Sequence, residues 1–303
     1  MLMGLPARAQ RAKIIFTPQW TAQAQFAGYY VAQEKGFYRE AGLDVEIVHP
    51  SVTQPALSRI LNKESHATTL SLCQALKIVG DGVPLVNILQ TSMNNAMVIV
   101  SRRHEDPLKQ KGMKVGIWNA GFGELAICMC KKEHLNYEWI RIATNINLFI
   151  AGAIDATLAM SYNEYYQLAQ AGVKLSDKNI YRFCDHGYNV QEDGIYMPLE
   201  YYNQHRDEAR RFAEASKKGW EWAVEHPEET LEIVMTYVHR NHIGTNRVLQ
   251  ELMLKEVFRL MADRETKKRE YRLRPEMVKL ASNLLVENKM IHRQVTYDEI
   301  IAK

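Results

Sequence analysis

The chain has 303 residues, and 47% of them are hydrophobic, which is enough apolar material for the packed cores of two lobes. Its 38 basic and 35 acidic residues leave a net charge of +3, and this balance argues against a dedicated nucleic-acid-binding protein, in which positive charge is concentrated on one face. No window of about 18 apolar residues occurs, so we expect no membrane-spanning helix.

The N-terminal segment, residues 1–10, is expected to lie outside the folded part. It contains Ala7-Arg8-Ala9, an Ala-x-Ala pattern suited to signal peptidase, but the apolar stretch before that pattern is too short for a complete signal. We interpret residues 1–10 as the remaining end of a secretory signal peptide, which predicts a periplasmic location. A disordered native tail is the alternative.

The segment from Gln23 to Ile47 predicts a helix, a short turn and a strand. Four apolar residues fall on one face of the helix: Phe26, Ala27, Tyr30 and Val31. Gly36 is placed to end this helix, and Gly42 ends the turn. Apolar and acidic residues then alternate over 43–47, which is the pattern of a half-buried strand.

Strands and helices alternate over most of the chain before it becomes entirely helical. In the first half, helices are expected after Thr53 as N-cap and after Ser71, and strands at 13–16, 66–69, 84–91 and 96–101. In the second half, helices are expected at 124–134, 145–151 and 163–170, and strands at 113–118, 137–142, 154–160, 181–183 and 194–197. After Pro198 we expect only helices, at 207–225, 227–240, 245–262 and 275–288.

This order of elements predicts a two-lobed α/β protein in which each lobe contains a doubly wound, mostly parallel sheet. Residues 11–101 and 195–303 would form lobe 1, with the C-terminal helices packed on it, and residues 102–194 would form lobe 2. The chain would cross between the lobes near 101–106 and return near 187–194.

Ligands bind beyond the carboxyl ends of the strands in open parallel sheets, and four loops at such positions carry candidate ligand-binding residues. The first loop contains Gln19, Trp20, Gln23 and Gln25. Its indole and amide groups suit a flat polar ring, through stacking and hydrogen bonds. The alternative is a surface loop with one aromatic side chain packed inward.

The second and third loops are rich in small residues. Ser71 and the backbone N–H groups after it could hold an anionic or carbonyl oxygen, although a plain N-cap explains this serine equally well. The third loop contains Trp118, Asn119, Gly121 and Phe122, and its glycines would let a ligand approach the backbone. A structural glycine turn is the alternative for the third loop.

The fourth loop follows the strand at 154–160 and contains Tyr162, Asn163 and Glu164. The carboxylate of Glu164 could accept hydrogen bonds from the amino group and a ring N–H of a heterocycle. A glutamate that is stabilised by the dipole of its own helix is the alternative. Tyr162 could line the cleft or pack beneath it.

Metal chemistry is not indicated by the cysteines and histidines. Cys128 and Cys130 lie two residues apart and would point in different directions on a helix, so we expect free thiols. His239 and His242 could share a helix face, but no nearby carboxylate or cysteine completes a site. We therefore predict no metal site.

Three runs in the first part of the chain resemble one known family. They are Gly28-Tyr-Tyr-Val-Ala32, Lys35-Gly-Phe-Tyr38 and Gly42-Leu-Asp-Val45. These runs are similar to the opening of the NMT1/THI5-like family of periplasmic solute-binding proteins, which is related to yeast thiamine-pyrimidine synthase, and the resemblance extends over residues 13–229. It implies a type II periplasmic-binding-protein-like fold with a ligand between two lobes, an ABC transporter permease as partner at the membrane, a monomer and no cofactor.

The resemblance predicts a protein that is not an enzyme and that captures a small heterocycle, such as a thiamine pyrimidine precursor, for an ABC importer. Thiamine-pyrimidine binders of the family often carry Asn and His in the first loop, where this chain has Ala22 and Gln25. A flavin, a sulfonate or a similar solute, or a sensory module, are therefore the alternatives. A synthase is the least favoured alternative, because Leu70 and Gln74 stand where those enzymes use Lys and His, and Cys184 stands alone where they have a cysteine cluster.

Overall fold

The computed structural model describes residues 11–51, 53–119, 121–143 and 145–303 and shows two mixed five-stranded sheets with helices packed around them. The expected end of a signal peptide, residues 1–10, lies outside the described residues. Among the helices that are described, none has the length and apolar character needed to cross a bilayer.

The first sheet holds the N-terminal strands together with one strand that arrives late in the chain. In spatial order its strands are β2 (Leu43–Ile47), β1 (Ala12–Thr17), β3 (Ala67–Leu70), β10 (Gly194–Pro198) and β4 (Leu85–Gln90). The alternation expected for β2 is confirmed, because Leu43 and Val45 are buried and the acidic residues between and after them are exposed. β10 runs antiparallel to both of its neighbours, and the other four strands share one direction.

The second sheet repeats this arrangement. Its order is β7 (Glu138–Ile142), β6 (Lys114–Trp118), β8 (Ala156–Met160), β5 (Met97–Ser101) and β9 (Ile180–Arg182), and β5 is the antiparallel strand. The expectation that the strand near 96–101 belongs to the first sheet is wrong. All five residues of β5 are buried, and such a continuous apolar run carries no signal for which sheet it joins.

Sheet membership therefore sets the first crossing at residues 91–96, and not at 101–106. The return crossing lies between β9 and β10 and covers residues 183–193. The expected crossing, 187–194, lies within this range except for its last residue, which begins β10. Hereafter the first lobe is the first sheet with the helices that cover it, and the second lobe is the second sheet with its helices.

The helices agree with the expected ones within a few residues. Two short helices, Leu199–Gln204 and Tyr297–Ile300, were not expected. The first lobe has α1 (Ala27–Glu34), preceded by a 3-10 turn at Ala24–Phe26, then α2 (Phe37–Glu40), α3 (Ala56–Leu61) and α4 (Leu72–Gly80). The second lobe has α5 (Glu124–Lys132), α6 (Asn147–Ile150) and α7 (Glu164–Gln170). The C-terminal part has α8 (Leu199–Gln204), α9 (Arg206–Glu225), α10 (Pro227–Arg240), α11 (Arg247–Leu260), α12 (Pro275–Glu287) and α13 (Tyr297–Ile300).

Thr53 does not cap α3, contrary to expectation. The helix begins three residues later, and Pro55 in an extended conformation is the residue before it. The segment in front of the helix is instead a turn in which the Ser51 hydroxyl accepts a hydrogen bond from the Gln54 backbone N–H at 3.1 Å. Pro55 occupies the cap position, and α3 has no side-chain cap hydrogen bond.

The C-terminal helices pack on the first lobe, but two of them also contact the second. α9 and α10 lie on α1, and α11 lies against α10 and the 3-10 turn before α1. α11 also contacts α7, and α12 lies between α4 and α5. The two lobes are therefore joined by helices as well as by the two crossings.

The contact between α1 and α9 requires glycine on α9, and this gives a first testable prediction. A Cβ on Gly219 would lie against the Gly28 carbonyl oxygen and within 2.7 Å of the Ala32 Cβ. Backbone atoms cannot rotate away, so we expect Gly219→Ala to push the helices apart and to lower the free energy of unfolding by about 2 kcal/mol, in the usual range for overpacking. Thermal unfolding should show this loss.

The matched control is Gly244→Ala. Gly244 lies in an exposed loop, and a Cβ there would meet no atom within 4 Å. Its melting temperature should stay within about 1 °C of the parent, since surface substitutions usually change stability by less than 0.5 kcal/mol or so. Equal stability of the two variants would contradict close packing of α1 on α9.

Candidate functional site

A cavity lies where loops at the carboxyl ends of β1, β6 and β8 face each other, so both lobes contribute to it. It is small, since about 30 Å³ is open to the centre of a water molecule. Its walls consist of amide, aromatic and carboxyl side chains and one methionine: Gln19, Trp20, Gln23, Gln25, Trp118, Phe122, Met160, Tyr162, Asn163 and Glu164. This position matches the rule that ligands bind outside the carboxyl ends of strands in open sheets.

The structure brings together most of the residues selected from the sequence. Eight of them line this cavity: Trp20, Gln23, Gln25, Trp118, Phe122, Tyr162, Asn163 and Glu164. Gln19 and Met160 also line it, and no signal in the sequence pointed to the methionine. Their roles in ligand binding stay predictions.

Three of the selected residues lie outside the cavity. The Ser71 hydroxyl accepts a hydrogen bond from the Gln74 backbone N–H at 3.2 Å, so Ser71 is the N-cap of α4. An N-cap was the alternative to ligand binding for this serine. Asn119 is exposed. Gly121 has a φ of 82°, so it occupies the left-handed region that favours glycine, as a structural turn requires.

Two aromatic side chains from opposite lobes touch across the cavity. Trp20 follows β1 and Phe122 follows β6, and their rings meet edge to face with centroids 5.6 Å apart. The remaining space holds little more than a few water molecules, so a ring-shaped ligand would have to separate these two side chains. Such a ligand therefore requires these two side chains to move apart, and hinge opening between the lobes is one motion that separates them.

A chain of amides leads from the cavity to a carboxyl group. Gln23 Nε2 donates to Gln25 Oε1 at 2.6 Å, and Gln25 Nε2 donates to Asp193 Oδ1 at 2.9 Å. Gln19 Nε2 donates to the same Asp193 oxygen at 2.6 Å. These bonds fix the direction in which each amide presents its donor and acceptor to the cavity.

Asp193, which the sequence analysis did not select, accepts hydrogen bonds from two of the amides that line the cavity. It lies at the end of the return crossing, directly before β10, and has a φ of 50°, a conformation that is strained for most residues. A signal was available in Glu192-Asp193-Gly194, where two acidic residues precede a strand inside a segment already recognised as a crossing.

Glu164 is the first residue of α7, and its side chain is buried. One carboxyl oxygen accepts a hydrogen bond from the Met160 backbone N–H at 2.9 Å, and the other lies 3.3 Å from Asn163 Nδ2. Burial raises the pKa of Glu164, while the hydrogen bond from Met160 and a contact with the Trp118 indole lower it again. The carboxyl group keeps acceptor capacity that can serve a ligand.

The two crossings are hydrogen-bonded to each other beside the cavity. Glu192 accepts hydrogen bonds from Asn95 Nδ2 at 2.9 Å and from the Ala96 N–H at 3.0 Å, and the Thr91 hydroxyl donates to the Asp193 carbonyl oxygen. Burial and the neighbouring Asp193 raise the pKa of Glu192 to about 8. Burial raises the pKa of Asp193 to about 7, and the hydrogen bond from Gln25 opposes that rise.

The electrostatic character of the site follows from these groups. Glu164 supplies one carboxyl group to the lining, and a second carboxyl group, that of Asp193, is hydrogen-bonded to the lining residue Gln25. No Lys or Arg belongs to the described residues that line the cavity. An anionic ligand would meet buried carboxyl groups without a compensating cation, which is unfavourable. The site suits a neutral or cationic ligand that carries N–H donors and a flat ring.

Comparisons with known proteins agree with this architecture. The family model described as NMT1/THI5 like matches residues 23–230. A formylaminopyrimidine-binding protein of Halalkalibacterium halodurans is 26% identical over 230 residues, which is 72% of this chain and 68% of that protein. A 4-amino-5-hydroxymethyl-2-methylpyrimidine phosphate synthase of Saccharomyces cerevisiae is 23% identical over 239 residues, which is 71% of this chain and 68% of that protein.

Solved structures share the fold. The ligand-binding component of an ABC-type import system from Staphylococcus aureus superposes with a TM-score of 0.68, over 96% of this chain and 97% of that chain. Its sequence is 10% identical, so the likeness concerns the fold alone. Together with the two mixed sheets, it confirms the expected two-lobed α/β architecture of the type II periplasmic-binding-protein class.

Proposed function

This chain belongs to the NMT1/THI5-like family, and on that premise we propose that it is an extracytoplasmic solute-binding protein that captures a small nitrogen heterocycle for an ABC importer. The lobes would close on the ligand and present a surface to the permease. A thiamine pyrimidine precursor is the solute that we propose first. The formylaminopyrimidine-binding protein among the relatives supports this choice.

The observation that carries the proposal is a buried carboxyl group between aromatic walls without a cation. Glu164 can accept hydrogen bonds from an exocyclic amino group and a ring N–H, and a planar ring fits between Trp20 and Phe122 once they separate. The same carboxyl group disfavours a sulfonate, whose negative charge would be buried next to it.

Binding without turnover is supported by the residues near β3. Leu70 stands where the related synthases use a lysine, and its buried apolar side chain has no group that can react. Gln74 lies in the first turn of α4, and its amide is neither a base nor a nucleophile at neutral pH. A protein with these two residues at these positions binds its ligand and releases it unchanged.

The test is a binding screen on the purified protein. We expect 4-amino-5-hydroxymethyl-2-methylpyrimidine or its formylamino relative to raise the melting temperature by about 5 °C at 100 times its Kd, which corresponds to about 2.7 kcal/mol. Riboflavin and an alkanesulfonate serve as comparison solutes and should produce no shift. Chromatography of the mixture after incubation should return the pyrimidine unchanged.

Two outcomes would overturn the proposal. A shift with the sulfonate or with riboflavin, and none with either pyrimidine, would reassign the solute class. Conversion of the bound pyrimidine into a product would show that the chain is an enzyme.

A further inference from the structure

A second and larger cavity lies between α11 and the second lobe. About 340 Å³ of it is open to the centre of a water molecule, more than ten times the space in the cavity between Trp20 and Phe122. Its walls come from β5, β9, α7, α11 and the residues after α11. Nothing in the proposed function uses it.

Three arginines and two carboxylates line this cavity. Arg259 pairs with Glu256 at 2.6 Å, and Arg264 pairs with Asp185 at 2.6 Å. Arg182 is half-buried on β9 and has no carboxylate partner among the described residues. The cavity therefore carries one positive charge in excess, and a ligand with one negative charge would neutralise it.

Two tyrosines stand beside the unpaired guanidinium. The Arg182 guanidinium lies over the Tyr165 ring, 5.3 Å from its centroid, and the rings of Tyr165 and Tyr166 meet edge to face at 5.4 Å. Neither tyrosine hydroxyl makes a hydrogen bond to another described residue, so both are free to donate. A planar guanidinium with neighbouring hydroxyl donors is the arrangement that recognises carboxylate and phosphate oxygens.

From this geometry we propose that the cavity binds a small oxyanion, a carboxylate or a phosphate, through Arg182 and the hydroxyl groups of Tyr165 and Tyr166. The guanidinium would donate two parallel N–H···O hydrogen bonds, and a tyrosine hydroxyl would donate a third. The ion pairs of Arg259 and Arg264 leave those arginines as the charged rim of the site.

The walls of the second cavity come from both lobes, although the three groups proposed to hold the anion belong to the second lobe. Arg182 belongs to the second sheet, whereas α11 packs into the core of the first lobe through Met253 and Leu254. The segment formed by the loop after β8 and the start of α7 contributes to both cavities, since Tyr162 lines the first and Tyr165 lines the second.

The experiment measures oxyanion binding to the full chain at constant ionic strength. Acetate, benzoate, phosphate and sulfate are each titrated against sodium chloride, with melting temperature and calorimetry as readouts. We expect a saturable stabilisation by at least one of them, and at least tenfold weaker affinity in Arg182→Gln. The member of the series that binds most tightly distinguishes a carboxylate from a phosphate.

The matched control is Arg141→Gln. Arg141 is an exposed arginine on β7, at the opposite edge of the same sheet, and it lines neither cavity. Its affinity for the oxyanion should equal that of the parent. If Arg182→Gln fails to fold, Arg182→Lys, which keeps the charge but loses the planar fork, should still weaken binding.

The proposal is overturned if none of the four anions gives a saturable effect. It is also overturned if Arg182→Gln and Arg182→Lys bind the anion as tightly as the parent does. The experiment needs no pyrimidine, so its result does not depend on the solute that binds between the lobes.

Discussion

Replacing Glu164 by alanine is expected to weaken pyrimidine binding at least tenfold, which is about 1.4 kcal/mol. The carboxyl group is buried at the start of α7 and lines the cavity. A heterocycle that donates its amino and ring N–H groups would lose its acceptor in the variant and would keep two buried donors without partners. Leaving a buried donor unsatisfied costs about 1–3 kcal/mol, so the effect should appear directly in Kd by calorimetry.

The chain offers a closely matched control in Glu124→Ala. Glu124 is also the first residue of a helix that follows a strand of the second sheet, and burial raises its pKa to about 7. It does not line the cavity between Trp20 and Phe122. Its variant should bind the pyrimidine within about twofold of the parent, a difference of less than 0.5 kcal/mol or so.

A third variant, Glu164→Gln, separates charge from shape. Its amide oxygen can accept one hydrogen bond, but its NH₂ group opposes the amino group of the ligand. We therefore expect a loss close to that of alanine. Undiminished affinity in both Glu164 variants would remove this residue from the site, and an equal loss in Glu124→Ala would point to a general effect on the second lobe.

The local structure could be predicted from the sequence because it depends on local signals. The alternation in β2 and the long amphipathic helices α9 to α12 are defined by their own side chains, and each lies within a few residues of its expected place. The partition of strands between the sheets depends on distant contacts. β5 is buried throughout, so its sequence fits either sheet, and only its pairing with β8 and β9 decides.

The residues of the candidate site also divide into those that the sequence could predict and those that it could not. Aromatic and amide residues after β1, β6 and β8 could be selected because the ends of parallel strands meet at one edge. Ser71 could not be separated from a simple cap by its sequence, since both roles use the same hydroxyl. Asp193 directly precedes the antiparallel strand β10, whose start meets the ends of the other strands only because its direction is reversed. That reversal has no local signature.

The stability of the protein is expected to depend on pH through Asp193, the residue directly before the reversed strand β10. The pKa of this group is about 7 in the folded protein, against about 3.9 for an unperturbed aspartate. A raised folded-state pKa means that the folded protein holds the proton more tightly than the unfolded chain. The free energy of unfolding should therefore be unaffected below about pH 4, fall between pH 4 and pH 7, and stay low above pH 7.

Asp193→Asn should remove this loss. The substituted amide keeps an oxygen for the Gln19 and Gln25 donors, and asparagine tolerates a φ of 50° better than most residues do. It also removes the charge that raises the pKa of Glu192. Because one pKa unit corresponds to about 1.4 kcal/mol, we expect the variant to be more stable than the parent by roughly 2–4 kcal/mol at pH 8 and by much less at pH 5.

Urea unfolding at pH 5 and pH 8 measures this difference, with Asp44→Asn on the exposed face of β2 as the control. The control should follow the parent at both pH values, because its carboxyl group stays in water. A parent protein whose stability does not fall between pH 5 and pH 8 would refute a buried, protonated Asp193. If the fall is present and Asp193→Asn retains it, another buried carboxyl group titrates in this range, and the candidates are Glu192 and Glu124, whose pKa values burial raises to about 8 and about 7.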